Sequence, residues 1–315
     1  MQGKVVALGG GHGLAATLTS LRKITQDITA IVTVADNGGS SGRLRQEYPI
    51  LPPGDLRMAL AALCSDDEWG RDWARIIQYR FTGEGSLNGH ALGNLLLAAL
   101  WDCDSDPVIG LDRVASLLKV VGRVLPMASE PLDIEGTFIS AAGREVVRGQ
   151  AEVAKAAGKL ESLRIIPNNP PARQEALEAI EEADWITMGP GSWLSSVLPH
   201  LLVPTQRRAL SECSGKKIIV LNLDATPDSP GNEFAGYSPE EHLGLFAEYA
   251  PDLQIDIVLA DASVVKNPTT FGEQVNKMGG ELVLADLRKS PESIHHDVEK
   301  LAREFGHIMS NTLIG

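Results

Sequence analysis

"KVVALGGGHGLAATLTSLRKI", Lys4 to Ile24, decides the fold. A short apolar run ends in three glycines, and an amphipathic segment follows, which reads as buried strand, glycine turn and helix. "ITAIVTVAD", Ile28 to Asp36, supplies the next strand, so the chain opens β-loop-α-β. Further strand-like runs are "ADWITMG", "KKIIVLNL", "IDIVLAD" and "GELVLADL", with helical patterns such as "ARQEALEAIEEA" and "EEHLGLFAEYA" between them. Apolar strands alternating with helices imply a mostly parallel sheet covered on both faces, an α/β architecture.

From Arg123 to Pro167 the texture changes to short alternating segments with glycine breaks: "VLPMAS", "LDIEGTFIS", "REVVRGQAEVAKA" and "ESLRIIP". That is the pattern of antiparallel hairpins. "NNPPAR", Asn168 to Arg173, marks the return, and a last helix is expected from about Ser290 to Ser310. The chain therefore reads as one α/β nucleotide-binding domain over residues 1–315 with a β-rich insertion at 123–167. Its length also leaves two closely joined units open.

Bulk composition narrows the function. With a formal net charge of -13, a nucleic-acid surface is excluded, and any phosphate site must be local. Cys64, Cys103 and Cys213 show neither disulfide nor metal spacing, which fits a reducing compartment. The apolar runs fall short of a membrane span, and "MQGKVVALGGG" lacks a signal-peptide core, so a cytoplasmic location is expected.

Five glycine-rich or polar segments carry the chemistry. In "GGGHGL", Gly10, Gly11, His12 and Gly13 open a helix directly after a strand, an anion cradle. The dinucleotide fingerprint fits only in part, because Leu14 stands at its third glycine, and no Lys-Ser/Thr pair completes a Walker motif. A ligand-free tight turn is the plainer reading. In "VADNGGSSGRLR", Asp36 lies where a dinucleotide enzyme keeps its ribose-reading acid, which makes a nicotinamide oxidoreductase a third alternative. Gly39, Ser40, Ser41 and Arg43 suit a phosphate better. Gly38-x-Ser40-x-Gly42 matches a nucleophile elbow formally, but Asp36 and Asn37 separate the serine from its strand. A surface loop remains the bland reading.

"PPGDLRMALAAL" brings Gly54, a capping Asp55, and Arg57 placed in a first helical turn against the dipole. An anion held between Arg43 and Arg57 would remove that conflict. "LNGHALGNLLLAAL" sets His90 and Asn94 four apart, on one face of the helix it opens. In "GPGSWLSSVLPHLLV", Gly189, Gly191 and Ser192 follow a strand, with Asn222 and Asp224 ending the next one at the same sheet edge. Ser192 is equally a plain helix cap. Asp36 and Asp55 could share a magnesium ion through a bound phosphate, and they and His90 are the candidate catalytic groups.

These motifs, with "YRF" and "GRVLPM", occur in an order that closely resembles the gluconeogenesis-factor family, YvcK-like proteins related to 2-phospho-L-lactate transferase (CofD). The likeness runs from about Lys4 to Asn222 and weakens beyond. It implies a Rossmann-like three-layer sandwich with a nucleotide pocket at the carboxyl edge of the sheet. YvcK-like members bind UDP-sugars such as UDP-N-acetylglucosamine and are needed for cell shape and wall synthesis on gluconeogenic carbon. The transferase relatives move a phospholactyl group from a guanylyl-activated donor to a deazaflavin alcohol with magnesium. By resemblance, Gly10, Gly11 and Gly13 would line the phosphates, with Asp36, Asn37, Ser40, Ser41 and Arg43 beside them. Gly54, Asp55, His90, Asn94 and the Gly189 to Ser192 loop would complete the pocket. Asn37 stands where these families usually show a second aspartate, which argues for a binding protein over a transferase. A nucleotide-sugar ligand without membrane span is expected, and a homodimer is open to such a chain.

Overall fold

In the computed structural model, which describes residues 3–104, 106–223 and 237–311, the chain opens with β1 (Val5–Gly9), α1 (Gly11–Leu21) and β2 (Ile28–Val32). Helices α2 (Gly39–Glu47), α3 (Pro53–Ala62), α4 (Glu68–Gln78), α5 (Leu92–Cys103) and α6 (Pro107–Leu118) lead to β3 (Arg123–Pro126). Next come β4 (Asp133–Ser140), β5 (Gly143–Arg148), α7 (Gln150–Val153) and β6 (Lys159–Ile166). The remainder runs α8 (Gln174–Glu181), β7 (Trp185–Met188), a π-helical turn (Trp193–Val197), α9 (Leu198–Leu202), α10 (Pro204–Glu212) and β8 (Lys216–Val220). It closes with α11 (Pro239–Tyr249), β9 (Ile257–Asp261), α12 (Pro268–Lys277), β10 (Glu281–Ala285) and α13 (Val298–Asn311).

Seven strands form one parallel sheet in the order β10-β9-β8-β7-β1-β2-β3. Val5 of β1 lies opposite Ile28 of β2 on one side and Trp185 of β7 on the other. Every residue of β1 and of β9 is buried, which requires helices on both faces of the sheet. Leu14, Leu18 and Leu21 of α1 meet Leu56 and Leu60 of α3 in the core beside it. The expected α/β three-layer sandwich is therefore present.

Strand order places the site. From β1 the chain builds outward through β2 and β3, then returns to the other side of β1 with β7. The loops after β1 and β7 diverge from adjacent strands at this switch point, and the crevice they leave is the preferred ligand position of open α/β sheets.

Three boundaries differ from the sequence reading. Arg123–Pro126, read as the start of the insertion, is the parallel edge strand β3, with Thr29 opposite Arg123. Its alternation is that of an edge. The antiparallel sheet, in the order β5-β4-β6, begins only at Asp133. Within "REVVRGQAEVAKA", Gly149 at φ 108 ends β5, and the short helix α7 follows instead of a second strand. The last helix starts at Val298 rather than Ser290. Asp297 Oδ1 accepts the N–H groups of Glu299 and Lys300 at 2.9 and 3.0 Å, so it caps the helix, and residues 290–297 remain a loop. Among the described residues no helix is long and apolar enough to cross a membrane.

Candidate functional site

Helix α1 starts without a side-chain cap and without an acidic residue in its first turn. The N–H groups of Gly11, His12 and Gly13 have no acceptor within their own helix, and that of Gly11 faces the Asp55 carboxylate. Two of the glycines are required by what packs on them. A Cβ on Gly10 would lie 2.5 Å from Asp55 Oδ2, and one on Gly13 would lie 2.0 Å from the Pro190 carbonyl oxygen. Only bare backbone lets the β1 loop, α3 and the β7 loop meet here.

Asp36 and Asp55 form the acidic floor. Asp36 Oδ1 accepts the Gly38 N–H at 2.8 Å, a local turn that swings the chain from β2 into α2. Gly54, opening α3, sits so close that its Cβ would lie 2.8 Å from Asp36 Oδ2 and 2.5 Å from Ser41 Oγ, which accepts the Gly54 N–H. Burial and the neighbouring Asp36 charge push the Asp55 carboxyl up to about 7, against the opposing pull of the Gly11 backbone and Arg57. Two carboxyl groups so placed repel a bare phosphate. A proton or a divalent cation between them removes the repulsion, and hard carboxylate oxygens beside phosphate are the donor set that magnesium takes. Asp36 and Asp55 are the residues that would hold it.

The third wall follows β7. Asn222 clamps Gly191, accepting its N–H and donating to its carbonyl, both at 2.8 Å. Ser192 accepts from Ser195 N at 3.3 Å and Ser195 Oγ at 2.5 Å, so it caps the π-helical turn as the plainer reading held. Ser195 and Ser196 line the cavity, and His200 behind them, 3.3 Å from the Gly9 carbonyl, is kept neutral by burial, its pKa lowered to about 4.

Together these segments enclose a cavity of about 440 Å³. Of the sequence candidates, the structure brings Gly10, Gly11, His12, Gly13, Asp36, Asp55, Gly191, Ser192 and Asn222 onto its surface. Ser41 and Gly54 hold each other beside Asp36, Gly189 packs on the Val220 carbonyl, and Gly39 is exposed at the start of α2. Asp224 lies outside the described residues.

The arginines go elsewhere. Arg43 donates to the carbonyl oxygens of Ser86 and Asn88 at 3.3 and 2.8 Å, and Arg57 is buried against Gly93 with its Nε unpartnered. Neither is among the residues lining the cavity. Arg45 instead donates to the Asp36 carbonyl and to Asp133, tying α2 to the insertion. His90 precedes α5 rather than riding its face: a bend at the Ala91 cap separates it from Asn94. Both nevertheless meet at Ser40 Oγ, 3.0 Å from His90 Nδ1 and 3.0 Å from Asn94 Nδ2. This buried triplet braces α2 against α5 outside the cavity, and burial lowers the His90 pKa.

Asn37 does not face the cavity. Its Nδ2 donates to Glu152 Oε2 at 2.9 Å and its Oδ1 accepts from Ala151 N at 3.0 Å. An aspartate there would oppose Glu152, so the asparagine locks α7 of the insertion over the site. That lock brings Gln150 and Ala154 to the cavity, which sequence reading missed because it took the segment as strand. Ile294, His295 and His296 were missed likewise, having been read as part of the last helix. The signal available was Asp297, a good N-cap just before an amphipathic run.

Among the described lining residues there is no lysine or arginine. The cavity's polar lining consists of the helix N-terminus, the two carboxyl groups, serines, histidines and the Gln150 and Asn222 amides. No group of three or more metal-binding side chains occurs among the described residues.

The 2-phospho-L-lactate transferase CofD family matches the chain over residues 5–313. A Mycobacterium tuberculosis protein named "Putative gluconeogenesis factor" is 46% identical over 306 residues, covering 95% of this chain and 88% of the relative. A "Gluconeogenesis factor" from Halalkalibacterium halodurans is 35% identical over 285 residues, 90% of this chain and 85% of its own. The crystal structure of a UPF0052 family member from Bacillus halodurans superposes with a TM-score of 0.84 at 31% identity, covering 96% of this chain and 99% of that one.

Proposed function

The chain belongs to the 2-phospho-L-lactate transferase CofD family, and from that membership we propose that it is a gluconeogenesis factor whose cleft binds a nucleotide-activated sugar of the UDP-N-acetylglucosamine type. Binding links carbon supply to cell-shape and wall synthesis during gluconeogenic growth. The observation that carries the reading is the switch-point cavity, where the N-terminus of α1, whose cap residue offers no side chain, stands by the Asp36 and Asp55 carboxylates with no lysine or arginine among the described lining residues. A diphosphate with a divalent cation satisfies that combination: its oxygens take the N–H groups of α1 while the cation neutralises Asp36 and Asp55. The serines and histidines around it suit hydroxyl-rich sugar. The relatives' name, gluconeogenesis factor, supports the link to gluconeogenic growth.

Calorimetric titration of UDP-N-acetylglucosamine with and without magnesium tests it. Saturable binding, weakened at least tenfold in Asp36→Ala, is expected; no binding of any UDP-sugar by the folded protein would overturn it.

A CofD-like, magnesium-dependent transfer reaction is favoured by one feature, the carboxylate pair with Asp55 pushed to about 7. Against it stands Asn37, spent on Glu152 and unable to serve as a further metal ligand. Incubation with a guanylyl-phospholactate donor and a deazaflavin alcohol separates the two: the binding reading expects no product, and product above a no-enzyme control establishes the transferase.

A further inference from the structure

Arg57 is a buried cation that the nucleotide reading leaves unused. It is only 4% exposed, and because α3 opens at Pro53 it sits in the second turn, where the helix dipole has faded and burial sets the cost of its charge. Among the described residues its side chain donates no hydrogen bond and enters no ion pair. Nε is sealed without an acceptor, whereas Nη1 and Nη2, equally without one, keep accessible surface. Buried charges are stable when paired, so the partner of this guanidinium reaches it from outside the chain.

The surroundings are cationic. The Arg57 stem lies across the start of α5: a Cβ on Gly93 would stand 2.8 Å from its Cγ and 2.9 Å from its Cδ, so only glycine lets the arginine pass there. Helix α5 begins with Ala91 as its cap, without a side-chain cap bond and without an acidic residue in its first turn. Arg80 stands at the same end, pairing with Ala91 in an antiparallel bridge and donating from Nη1 to the Gly89 carbonyl at 2.9 Å. Burial and then the Arg80 charge lower the Arg57 pKa to about 10, against Asp55 and Asp36, which raise it from beyond ion-pair distance; at neutral pH the group stays charged. Neither Arg57 nor Arg80 is among the residues lining the switch-point cavity.

We propose that Arg57 and Arg80, at the N-terminus of α5, form a second anion site, separate from the nucleotide cleft, that takes a small tetrahedral oxyanion of the phosphate class. The two free terminal nitrogens of Arg57 offer a planar fork to two oxygens of such an anion, Arg80 adds charge, and the α5 terminus favours the same sign. The site goes beyond the nucleotide reading and stands without it.

The experiment is calorimetric titration of inorganic phosphate, free of magnesium and at fixed ionic strength, into wild type, Arg57→Lys, Arg57→Met and Arg80→Met, with circular dichroism as the fold check. Expected is saturable binding in wild type, weakened a few-fold in Arg57→Lys, which keeps the charge and loses the fork, and in Arg80→Met, and at least tenfold in Arg57→Met. Thermal melts give a second readout. In chloride Arg57→Met should melt no lower than wild type, since methionine removes an unpaired buried charge and keeps the packing of the stem, and phosphate should raise the wild-type melting temperature alone. Selenate soaked into wild-type crystals and located by its anomalous signal needs no variant, and is expected within hydrogen-bond distance of Arg57 Nη1 or Nη2. A wild type that binds no phosphate, unchanged phosphate affinity in folded Arg57→Met, or selenate found only elsewhere overturns the site. So does an Arg57→Met protein that melts several degrees below wild type in chloride, because the chain itself would then satisfy Arg57.

Discussion

Replacing Asp55 by asparagine removes a charge from the floor of the cavity without removing its bulk. The carboxyl is raised from 3.8 to about 7, first by burial and second by Asp36. A raised carboxyl pKa means that the folded state holds the proton more tightly than the unfolded chain. Stability therefore falls as pH rises from about 4 to about 7 and is flat above. At about 1.4 kcal/mol per pH unit, the ionised group costs at most about 4 kcal/mol at pH 8. Asp55 is only partly shielded by the open cleft, and water there leaves about half, roughly 2 kcal/mol. With an unfolding entropy of about 2 cal/mol/K per residue over this chain, Asp55→Asn should melt about 3 °C above wild type at pH 8. The gap should shrink toward pH 4.5. Millimolar magnesium should raise the wild-type melting temperature at pH 8 and do much less for the variant, which has lost one of the two carboxylates. Thermal melts followed by circular dichroism at both pH values read all of this. A gap that does not change with pH, or a variant less stable than wild type at pH 8, would refute the coupling of Asp55 to Asp36.

Gly13→Ala would set a methyl 2.0 Å from the Pro190 carbonyl oxygen, a clash against backbone that cannot rotate away; a loss of about 2 to 3 kcal/mol in urea titration and loss of nucleotide binding are expected. Asn37→Asp places a second carboxylate 2.9 Å from Glu152 and should cost about 1 kcal/mol, recovered in the double variant with Glu152→Gln when a double-mutant cycle is measured. Arg43→Ala should leave nucleotide-sugar affinity within about twofold of wild type by calorimetry, since the guanidinium is spent on the Ser86 and Asn88 carbonyls; a tenfold loss would return Arg43 to the site.

Much of this was legible from residues alone, for identifiable reasons. Val5 to Gly9 and the runs ending at Met188, Val220 and Asp261 are apolar without alternation, and only strands covered on both faces tolerate that, so the parallel sheet followed. Glycine turns at strand ends then located Gly10 to Gly13 and Gly191 at the switch point. Side-chain direction was not legible. Arg43 and Arg57 looked like phosphate ligands because charge was all the sequence could weigh, whereas Arg43 is taken up by the Ser86 and Asn88 carbonyls and Arg57 packs at Gly93, all tens of residues away. Asn37 shows the same limit: its partner Glu152 is 115 positions on, in an insertion whose short helix was taken for strand. His295 and His296 were hidden by a boundary, since a helix drawn through Ser290 leaves no loop to reach the cavity.

The central claim is that the cavity at the β1–β7 switch point holds a nucleotide diphosphate on the N-terminus of α1, and a crystal structure with UDP-N-acetylglucosamine and magnesium tests it most directly. The account predicts the diphosphate within hydrogen-bond distance of the Gly11 to Gly13 N–H groups and the cation between Asp36 and Asp55. A nucleotide bound away from that turn, or the cavity empty of nucleotide at saturating ligand, would contradict it.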